Sequence, residues 1–274
     1  MTENHATSES TTRDEQALEA LLYRLADDEF VLAERYTEWQ IYAPTLESDL
    51  ALSNVAQDEY GHARLWYDLL QDAFDYTEAD VLWEREPADF RHSTLCELPF
   101  ADDGWGDVIV RSYLYDTAER LRLEALIDSS NPTVRDRVEK VLGEEDYHRE
   151  HAISWLERLA ETDEGNERLQ AAVDRLFPDA LSLFDSGPHE EDIVATGLRT
   201  ETLDDLRTAW FDTVIPTLEG HGLTVPDPDD VDRPDARGRD GSHTDDWFDM
   251  HETFTATYHE LDFDQPTRLR GEEA

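Results

Sequence analysis

Two short segments of the chain each place a glutamate and a histidine three positions apart within a helical pattern. They are Glu59-Tyr60-Gly61-His62 and Glu145-Asp146-Tyr147-His148. Residues i and i+3 of an α-helix share a face, so each segment can present a carboxylate and an imidazole to one cavity. Another acid precedes each glutamate by about thirty residues, Glu29 in one case and Asp116 in the other. These two matched halves predict a di-metal carboxylate site inside a four-helix bundle.

The candidate ligands lie within the apolar stripes of their helices, which would place carboxylates in the core. A buried carboxylate is unfavourable unless it is paired or binds a cation, so four such acids require compensating charge. Two metal ions would supply it, and oxygen and imidazole donors without a thiolate favour iron, with manganese second, over structural zinc. The expected set comprises two bridging glutamates, one histidine per metal and two terminal acids: Glu59 and Glu145, His62 and His148, and Glu29 and Asp116.

The competing interpretation is that these residues are ordinary solvated side chains. Asp and Glu account for 67 of the 274 residues, so one Glu-x-x-His pair would carry little weight, whereas two matched pairs favour metal binding. Asp58 and Glu144, which precede the bridging glutamates, are either partners of the ligands or exposed acids. Nearby acidic and histidine side chains expected to be mostly solvated are Glu34, Glu38, Glu119, Glu124, Glu144 and His151.

The composition limits the partners and the compartment. The formal net charge is −44 and Lys140 is the single lysine, so nucleic acids and anionic membrane surfaces are disfavoured as partners. Such an acidic, lysine-poor chain resembles proteins of salt-accumulating halophiles, where about 1 M salt shortens the Debye length to about 3 Å. Cys96 is the single cysteine, and neither a signal peptide nor a membrane-spanning apolar segment is evident. We therefore expect a cytoplasmic protein.

Apolar residues recur every three or four positions from about Glu15 onward, which predicts an all-α protein. A ferritin-like helical domain is expected over residues 14–262, after a disordered leader at 1–13 and before a tail at 263–274. The four core helices, within about 15–160, are predicted at Glu15–Ile41, Thr45–Phe74, Trp105–Asp128 and from Asn131-Pro132 onward. A short loop inside each pair and a long, proline-containing connection between the pairs give the ferritin-like topology.

Additional helices are predicted over about residues 165–262. Their expected ranges are Glu167–Phe184, Thr202–Leu218 and Thr244–Leu261, and a loop rich in Pro, Asp, Arg and Gly is expected at Val225–Gly241. His243, His251 and His259 are spaced by eight residues but lack interleaved acids, so they are interpreted as packing or surface residues.

Residues 25–64 contain Ala43-Pro44-Thr45-Leu46, followed by Leu50–Arg64 with the sequence LALSNVAQDEYGHAR. This stretch resembles the two related ferritin-like subunits of bacterial phenylacetyl-CoA epoxidase. The resemblance covers most of residues 20–262 and includes Val110–Asp116, Glu145–Leu159 and His243-Thr244-Asp245. Chain length and the residues around Leu46–Asn54 and Arg111–Asp116 favour the smaller, C-type (PaaC-like) subunit over the larger, A-type (PaaA-like) catalytic subunit.

The resemblance implies a subunit of a hetero-oligomeric monooxygenase. In that family the A-type subunit holds a di-iron site, the C-type subunit pairs with it, and a separate reductase carrying FAD and an iron–sulfur cluster supplies electrons from NADPH. Together they convert phenylacetyl-CoA and dioxygen to the 1,2-epoxide in aerobic phenylacetate degradation. The phosphates of coenzyme A would need cations, either from the partner or from arginines such as Arg64 or Arg111.

The chain departs from the C-type pattern at the ligand positions. C-type subunits have lost much of the ligand set, whereas all six positions persist here. Three functions follow as hypotheses: an epoxidase subunit with its own di-iron site, a non-catalytic scaffold for the A-type subunit, or another ferritin-like di-iron oxidase or iron-handling protein.

Overall fold

A computed structural model describes residues 3–101 and 104–260, with side chains given from Thr12 onward within those ranges. The described residues are mainly helical and contain no strand, which confirms the prediction of an all-α, ferritin-like bundle. The α-helices in these ranges are α1 Glu3–Trp39, α2 Leu46–Phe74, α3 Thr94–Glu97, α4 Trp105–Glu124, α5 Pro132–Ala160, α6 Asp163–Ala180, α7 Glu190–Ala195, α8 Leu203–Gly220 and α9 Asp245–Glu260.

Helices α1, α2, α4 and α5 form the bundle that carries the candidate ligands. Helix α1 packs along α2, α4 packs along α5, and α2 also contacts α5. Local capping fixes where two of these helices begin. Thr45 Oγ1 accepts a hydrogen bond from the Ser48 amide at 3.1 Å, and Asn131 Oδ1 accepts from two amides of the first turn of α5, where Pro132 takes the first position.

The connection between α2 and α4 is folded against the bundle. It contains a π-helical turn at Ala79–Trp83, a 3₁₀ turn at Pro87–Asp89, and α3. Arg85 anchors it through a bidentate ion pair with Asp27 of α1, at 2.7 and 2.9 Å. The connection therefore serves as the predicted crossover between the two helix pairs.

The remaining helices cover the bundle. Helix α6 packs on α4 and α5, α8 packs on α4, and α7 packs on α1. Trp210 of α8 is fully buried and donates its indole N–H to the Leu114 carbonyl at 2.9 Å. Trp247 of α9 likewise donates to the Pro87 carbonyl at 3.0 Å, which joins the last described helix to the crossover.

The structure changes several predicted boundaries. Residues Glu3–Arg13 continue α1 instead of forming a disordered leader, since no Gly or Pro interrupts them. Helix α4 ends at Glu124, not Asp128, and the short α7 was not predicted. The predicted boundary at residue 262 and the tail at 263–274 lie outside the described residues. Among the helices that are described, none is long and apolar enough to cross a membrane.

Candidate metal centre

The bundle brings all six predicted ligands into its interior, with each side chain at most 1 % exposed. Helix α1 contributes one acid, α4 contributes another, and α2 and α5 contribute one Glu-x-x-His pair each. In that order the residues are Glu29, Asp116, Glu59 with His62, and Glu145 with His148. The i, i+3 spacing therefore directs each glutamate and histidine inward together, as the sequence predicts.

Two glutamates occupy the space between the two histidines. Glu145 Oε1 lies 3.4 Å from His62 Nδ1 and 3.5 Å from His148 Nδ1. Glu59 turns one oxygen to each ring, with Oε2 at 3.9 Å from His62 Nδ1 and Oε1 at 3.5 Å from His148 Nδ1. Both carboxylates therefore lie close to both imidazoles.

The terminal acids are placed less equally. Glu29 Oε2 lies 3.7 Å from His62 Nδ1, and the ligand atoms of Glu29, Glu59, His62 and Glu145 all lie within 4.8 Å of one another. Asp116 is outside this tight group. Burial, followed by the charge of Glu145, raises the pKa of Asp116 well above its usual value, so Asp116 belongs to the same electrostatic site.

The donor atoms of the cluster lack hydrogen-bond partners within the described part of the chain. The unpartnered atoms are both carboxylate oxygens of Glu29, Glu59, Asp116 and Glu145, and the Nδ1 atoms of His62 and His148. An unpaired buried carboxylate is strongly unfavourable, so a cluster built from four of them is not stable as four free anions. The residues thus fit a pair of divalent cations, which would satisfy all six side chains at once.

Without cations, the charges of the cluster are balanced by protons. Burial and the neighbouring Glu59 raise the pKa of Glu29, and burial likewise raises the pKa of Glu59. Burial opposes both of the following shifts. The nearby imidazoles of His148 and His62 lower the pKa of Glu145 to about 2, and the nearby carboxylates of Glu145 and Glu29 raise the pKa of His62 to about 12. Metal binding would therefore displace protons from the imidazoles and carboxyls.

A second pair of acids holds the outer nitrogens of the two rings. His62 Nε2 lies 2.7 Å from Glu144 Oε2, and His148 Nε2 lies 3.3 Å from Asp58 Oδ2. Each acid directly precedes the cluster glutamate of its own helix and contacts the histidine of the other helix, so the two contacts cross between α2 and α5. An acceptor at Nε2 leaves Nδ1 free to bind a metal. Of the two interpretations left open for Asp58 and Glu144, the contacts with the histidines favour partners of the ligands.

Glu119 was expected to be solvated, and that prediction is wrong. It lies on α4 one turn after Asp116, is fully buried, and forms an ion pair with Arg122 through Oε2 while Oε1 has no partner among the described residues. Tyr115, also fully buried, has an unpartnered hydroxyl group. The i+3 spacing from Asp116 to Glu119 was the available signal, and the high frequency of acids in the chain concealed it.

A smaller cluster joins the crossover to the segment before α9. Glu97 Oε2 lies 2.6 Å from His92 Nε2 and 2.7 Å from His243 Nδ1, while Glu97 Oε1 accepts the Thr244 amide at 2.8 Å. The two imidazole rings stack with centroids 4.4 Å apart. His243 is therefore a buried hydrogen-bonding residue. By contrast, His251 is half-buried against the Arg85 carbonyl and His259 is exposed, as packing or surface residues would be.

The fold and the first cluster define a ferritin-like helical bundle with a carboxylate–histidine group that could hold metal. The family model described as "Phenylacetic acid catabolic protein" matches residues 1–262 of the chain. The chain belongs to this family, which confirms the resemblance seen in the sequence.

Two curated proteins of Escherichia coli (strain K12) are similar to the chain. It is 30% identical to the C-type subunit of 1,2-phenylacetyl-CoA epoxidase over 211 residues, which cover 76% of this chain and 84% of that protein. It is 28% identical to the A-type subunit of the same enzyme over 196 residues, which cover 70% of this chain and 62% of that protein. The chain therefore spans less than two thirds of the larger, A-type relative.

Proposed function

We propose that the chain is a di-iron subunit of a 1,2-phenylacetyl-CoA epoxidase that acts in aerobic phenylacetate degradation. The observation that carries this proposal is the meeting of four buried acids and two histidines whose donor atoms are otherwise unpartnered. Similarity to two subunits of one epoxidase supplies the substrate class. The partners are then an A-type subunit and a reductase with FAD and an iron–sulfur cluster that uses NADPH.

In this proposal two iron ions would be held by Glu59 and Glu145 as shared ligands, by His62 and His148 as one ligand each, and by Glu29 and Asp116 as terminal ligands. The bound iron would supply the activation of dioxygen. The surrounding residues fix the ligands before metal arrives: Glu144 and Asp58 hold the outer edges of the rings, and burial excludes bulk water from the cluster.

A cavity beside the ligand helices is a candidate contact for the acyl-CoA. It has a volume of about 260 Å³ and lies against α1, α2 and the π-helical turn, with Phe30, Tyr60 and Arg64 among its lining residues. Arg64 is exposed, and although its Nε lies 3.9 Å from Asp68 Oδ2, its guanidinium could also contact a phosphate group. Arg111, the other arginine considered from sequence, is fully buried and donates to the carbonyls of Leu98 and Pro99, so it is committed to the fold.

The scaffold function is the second candidate, because the C-type relative is matched at higher identity and over more of its length than the A-type relative. The two candidates differ in the need for metal in this chain. A scaffold would support epoxidation by the A-type partner whether or not Glu59 and Glu145 were present.

Reconstitution with the A-type partner and the reductase separates these functions. We expect about two iron ions per chain and turnover of phenylacetyl-CoA with the unaltered protein, and loss of both in the Glu59→Ala, Glu145→Ala double variant. Asp146→Ala is the matched control, because Asp146 follows Glu145 on the same helix and is exposed. Absence of iron together with full activity of the double variant would establish the scaffold function instead.

A further inference from the structure

A small cavity at the end of the bundle is lined by four arginine side chains. It lies two turns from Glu29 along α1, beyond Asp116 along α4, and has a volume of about 20 Å³. Its charged lining residues are Arg24, Arg122, Arg199, Arg239 and Asp185, and leucines complete the wall. The chain has a net charge of −44 and contains far more acidic than basic residues. A cavity lined by four arginines is therefore unusual in this protein.

The cavity arginines share a small number of acidic partners. Asp28 pairs with both Arg122 and Arg239, the latter at 2.6 Å. Glu190 pairs with both Arg24 and Arg199. Each of these carboxylates therefore faces two guanidinium groups.

Positive charge exceeds negative charge around this cavity. Four guanidiniums line the cavity, and a fifth, that of Arg233, pairs with Asp185 of the lining. This makes five guanidiniums among the described residues. The carboxylates that pair with them number four, even with Glu119 counted as ionised: Asp28, Glu119, Asp185 and Glu190. Arginine does not lose its proton in proteins, so at least one positive charge is uncompensated.

Two of the four guanidiniums that line the cavity also have unused donors among the described residues. Arg24 and Arg122 are each 6 % exposed, and the Nε–H group of each has no hydrogen-bond partner among the described residues. Burial, together with the neighbouring Arg239, lowers the pKa of Arg24 to about 10, although Glu190 opposes this shift. Buried donors of this kind are normally satisfied by protein, water or an ion.

We propose that this cavity is a binding site for one small monovalent anion of the chloride type. About 10 to 15 Å³ of such space holds one water molecule, so the cavity admits a single monatomic ion and excludes phosphate or a carboxylate ligand. The ion would join the two bundle helices α1 and α4 to Arg199, which follows α7, and to Arg239, which precedes α9. Anion binding would thus hold the outer segments against the bundle.

The dependence of unfolding on chloride concentration tests the site independently of epoxidase activity. Unfolding is measured in sodium chloride and sodium gluconate mixtures at one fixed ionic strength, because general screening of the acidic surface is then constant. Above the dissociation constant, we expect a tenfold increase in chloride to raise the folding equilibrium constant about tenfold, which corresponds to one anion bound per folded chain. Equal stability in both salts would overturn the proposal.

Three variants locate the effect. Arg199→Gln should remove the chloride dependence, while Arg120→Gln, an exposed arginine on α4, should retain it. Leu203→Glu places a carboxylate at the half-buried edge of the cavity and should make the protein as stable in gluconate as in chloride. Chloride dependence that persists unchanged in both Arg199→Gln and Leu203→Glu would contradict the assignment.

Crystals of the full chain grown in bromide provide a test that needs no variant. The expected result is one anomalous bromine peak within hydrogen-bond distance of Arg24 or Arg122. A water molecule in that position, with no bromine signal, would overturn the proposal even if chloride stabilised the protein by another route.

Discussion

Two histidine–glutamate clusters lie in this molecule, and they differ in how their donor atoms are satisfied. In the bundle cluster, the carboxylate oxygens of Glu29, Glu59 and Glu145 have no hydrogen-bond partners within the described residues. In the crossover cluster, Glu97 accepts from two imidazoles and one amide at 2.6 to 2.8 Å. Similar side chains therefore leave unpartnered oxygens in the bundle cluster, whereas in the crossover cluster the hydrogen bonds are complete at Glu97.

The difference follows from the ratio of acids to donors. The bundle cluster contains four acids and two histidines, so acids are in excess and their charge must be balanced by protons or by cations. The crossover cluster contains one acid and two histidines, and the carboxylate of that acid already lies within hydrogen-bond distance of both imidazoles. Proximity of suitable ligand types is therefore insufficient evidence for a metal site, and uncompensated buried charge is the stronger criterion.

The largest effect is expected for Glu97→Ala. This substitution leaves the buried His92 and His243 without their shared acceptor, and it should lower the free energy of unfolding by about 3–5 kcal/mol. Urea denaturation of metal-free and metal-loaded protein measures it, and the loss should be equal in both forms. A loss confined to metal-loaded protein would mean that the crossover cluster also binds metal.

The crossover cluster should also make stability fall on acidification. Burial and His243 lower the pKa of His92 to about 4, whereas histidine in the unfolded chain titrates near 6.5. The unfolded state then binds more protons than the folded state between these values, so stability is lost as pH falls from about 6.5 to about 4. Hydrogen bonds from His243 and His92 outweigh burial and lower the pKa of Glu97 to about 2, which extends the loss to lower pH.

Between pH 7 and pH 5, the His92 contribution is about 2 kcal/mol. Urea denaturation of metal-free protein at the two pH values measures the change in the free energy of unfolding. This change should be smaller in His92→Gln than in the unaltered protein. His259→Gln, which changes an exposed histidine on α9, is the control and should retain it. An unchanged pH dependence in His92→Gln would show that His92 is not a source of the acid sensitivity.

A smaller effect is expected for the acids that hold the outer ring nitrogens. Glu144→Gln and Asp58→Asn should each weaken metal binding about tenfold, because the amide no longer raises the basicity of the ring it contacts. Competition with a metal chelator measures the affinity, and Asp68→Asn on the outer part of α2 is the control. Wild-type affinity in both variants would show that these contacts do not support the ligands.

The smallest expected effect is that of Glu29→Gln on the stability of the metal-free protein. Whether this variant stabilises or destabilises the protein is the informative result. Glu29→Gln removes an unpaired buried carboxyl beside Glu59, so we expect the free energy of unfolding at pH 7 to rise by about 1 kcal/mol. The same variant should bind metal more weakly. Glu15→Gln, at an exposed position on α1, should change neither property. Destabilisation of the metal-free protein by Glu29→Gln would contradict the excess of negative charge.

The helices and the convergence of the candidate ligands were predictable because both depend on local spacing. Thr45 and Asn131-Pro132 mark helix starts by their own chemistry, and the two Glu-x-x-His pairs reach one cavity through helical periodicity. The crossover cluster was not predictable in this way. Glu97 and His243 are 146 residues apart and come from short or irregular segments, so no periodic pattern relates them.

The cavity arginines illustrate the same limit. Arg24 and Arg122 lie on regular helices, but Arg199 and Arg239 lie outside them, and only the tertiary fold shows that all four converge. Glu119 was misinterpreted for a different reason: acids are so frequent that one at the correct helical spacing did not stand out. Local rules thus predicted the bundle and the convergence of the six candidate ligands, while charge balance between distant segments required the structure.

Anomalous diffraction at the iron absorption edge, from crystals of iron-loaded protein, compares the two clusters in one measurement. We predict two iron peaks between Glu59 and Glu145, one near His62 and one near His148, and none at His92, Glu97 and His243. Iron at the crossover cluster, or no iron in the bundle of a fully loaded sample, would contradict the conclusion that uncompensated buried charge defines the metal centre.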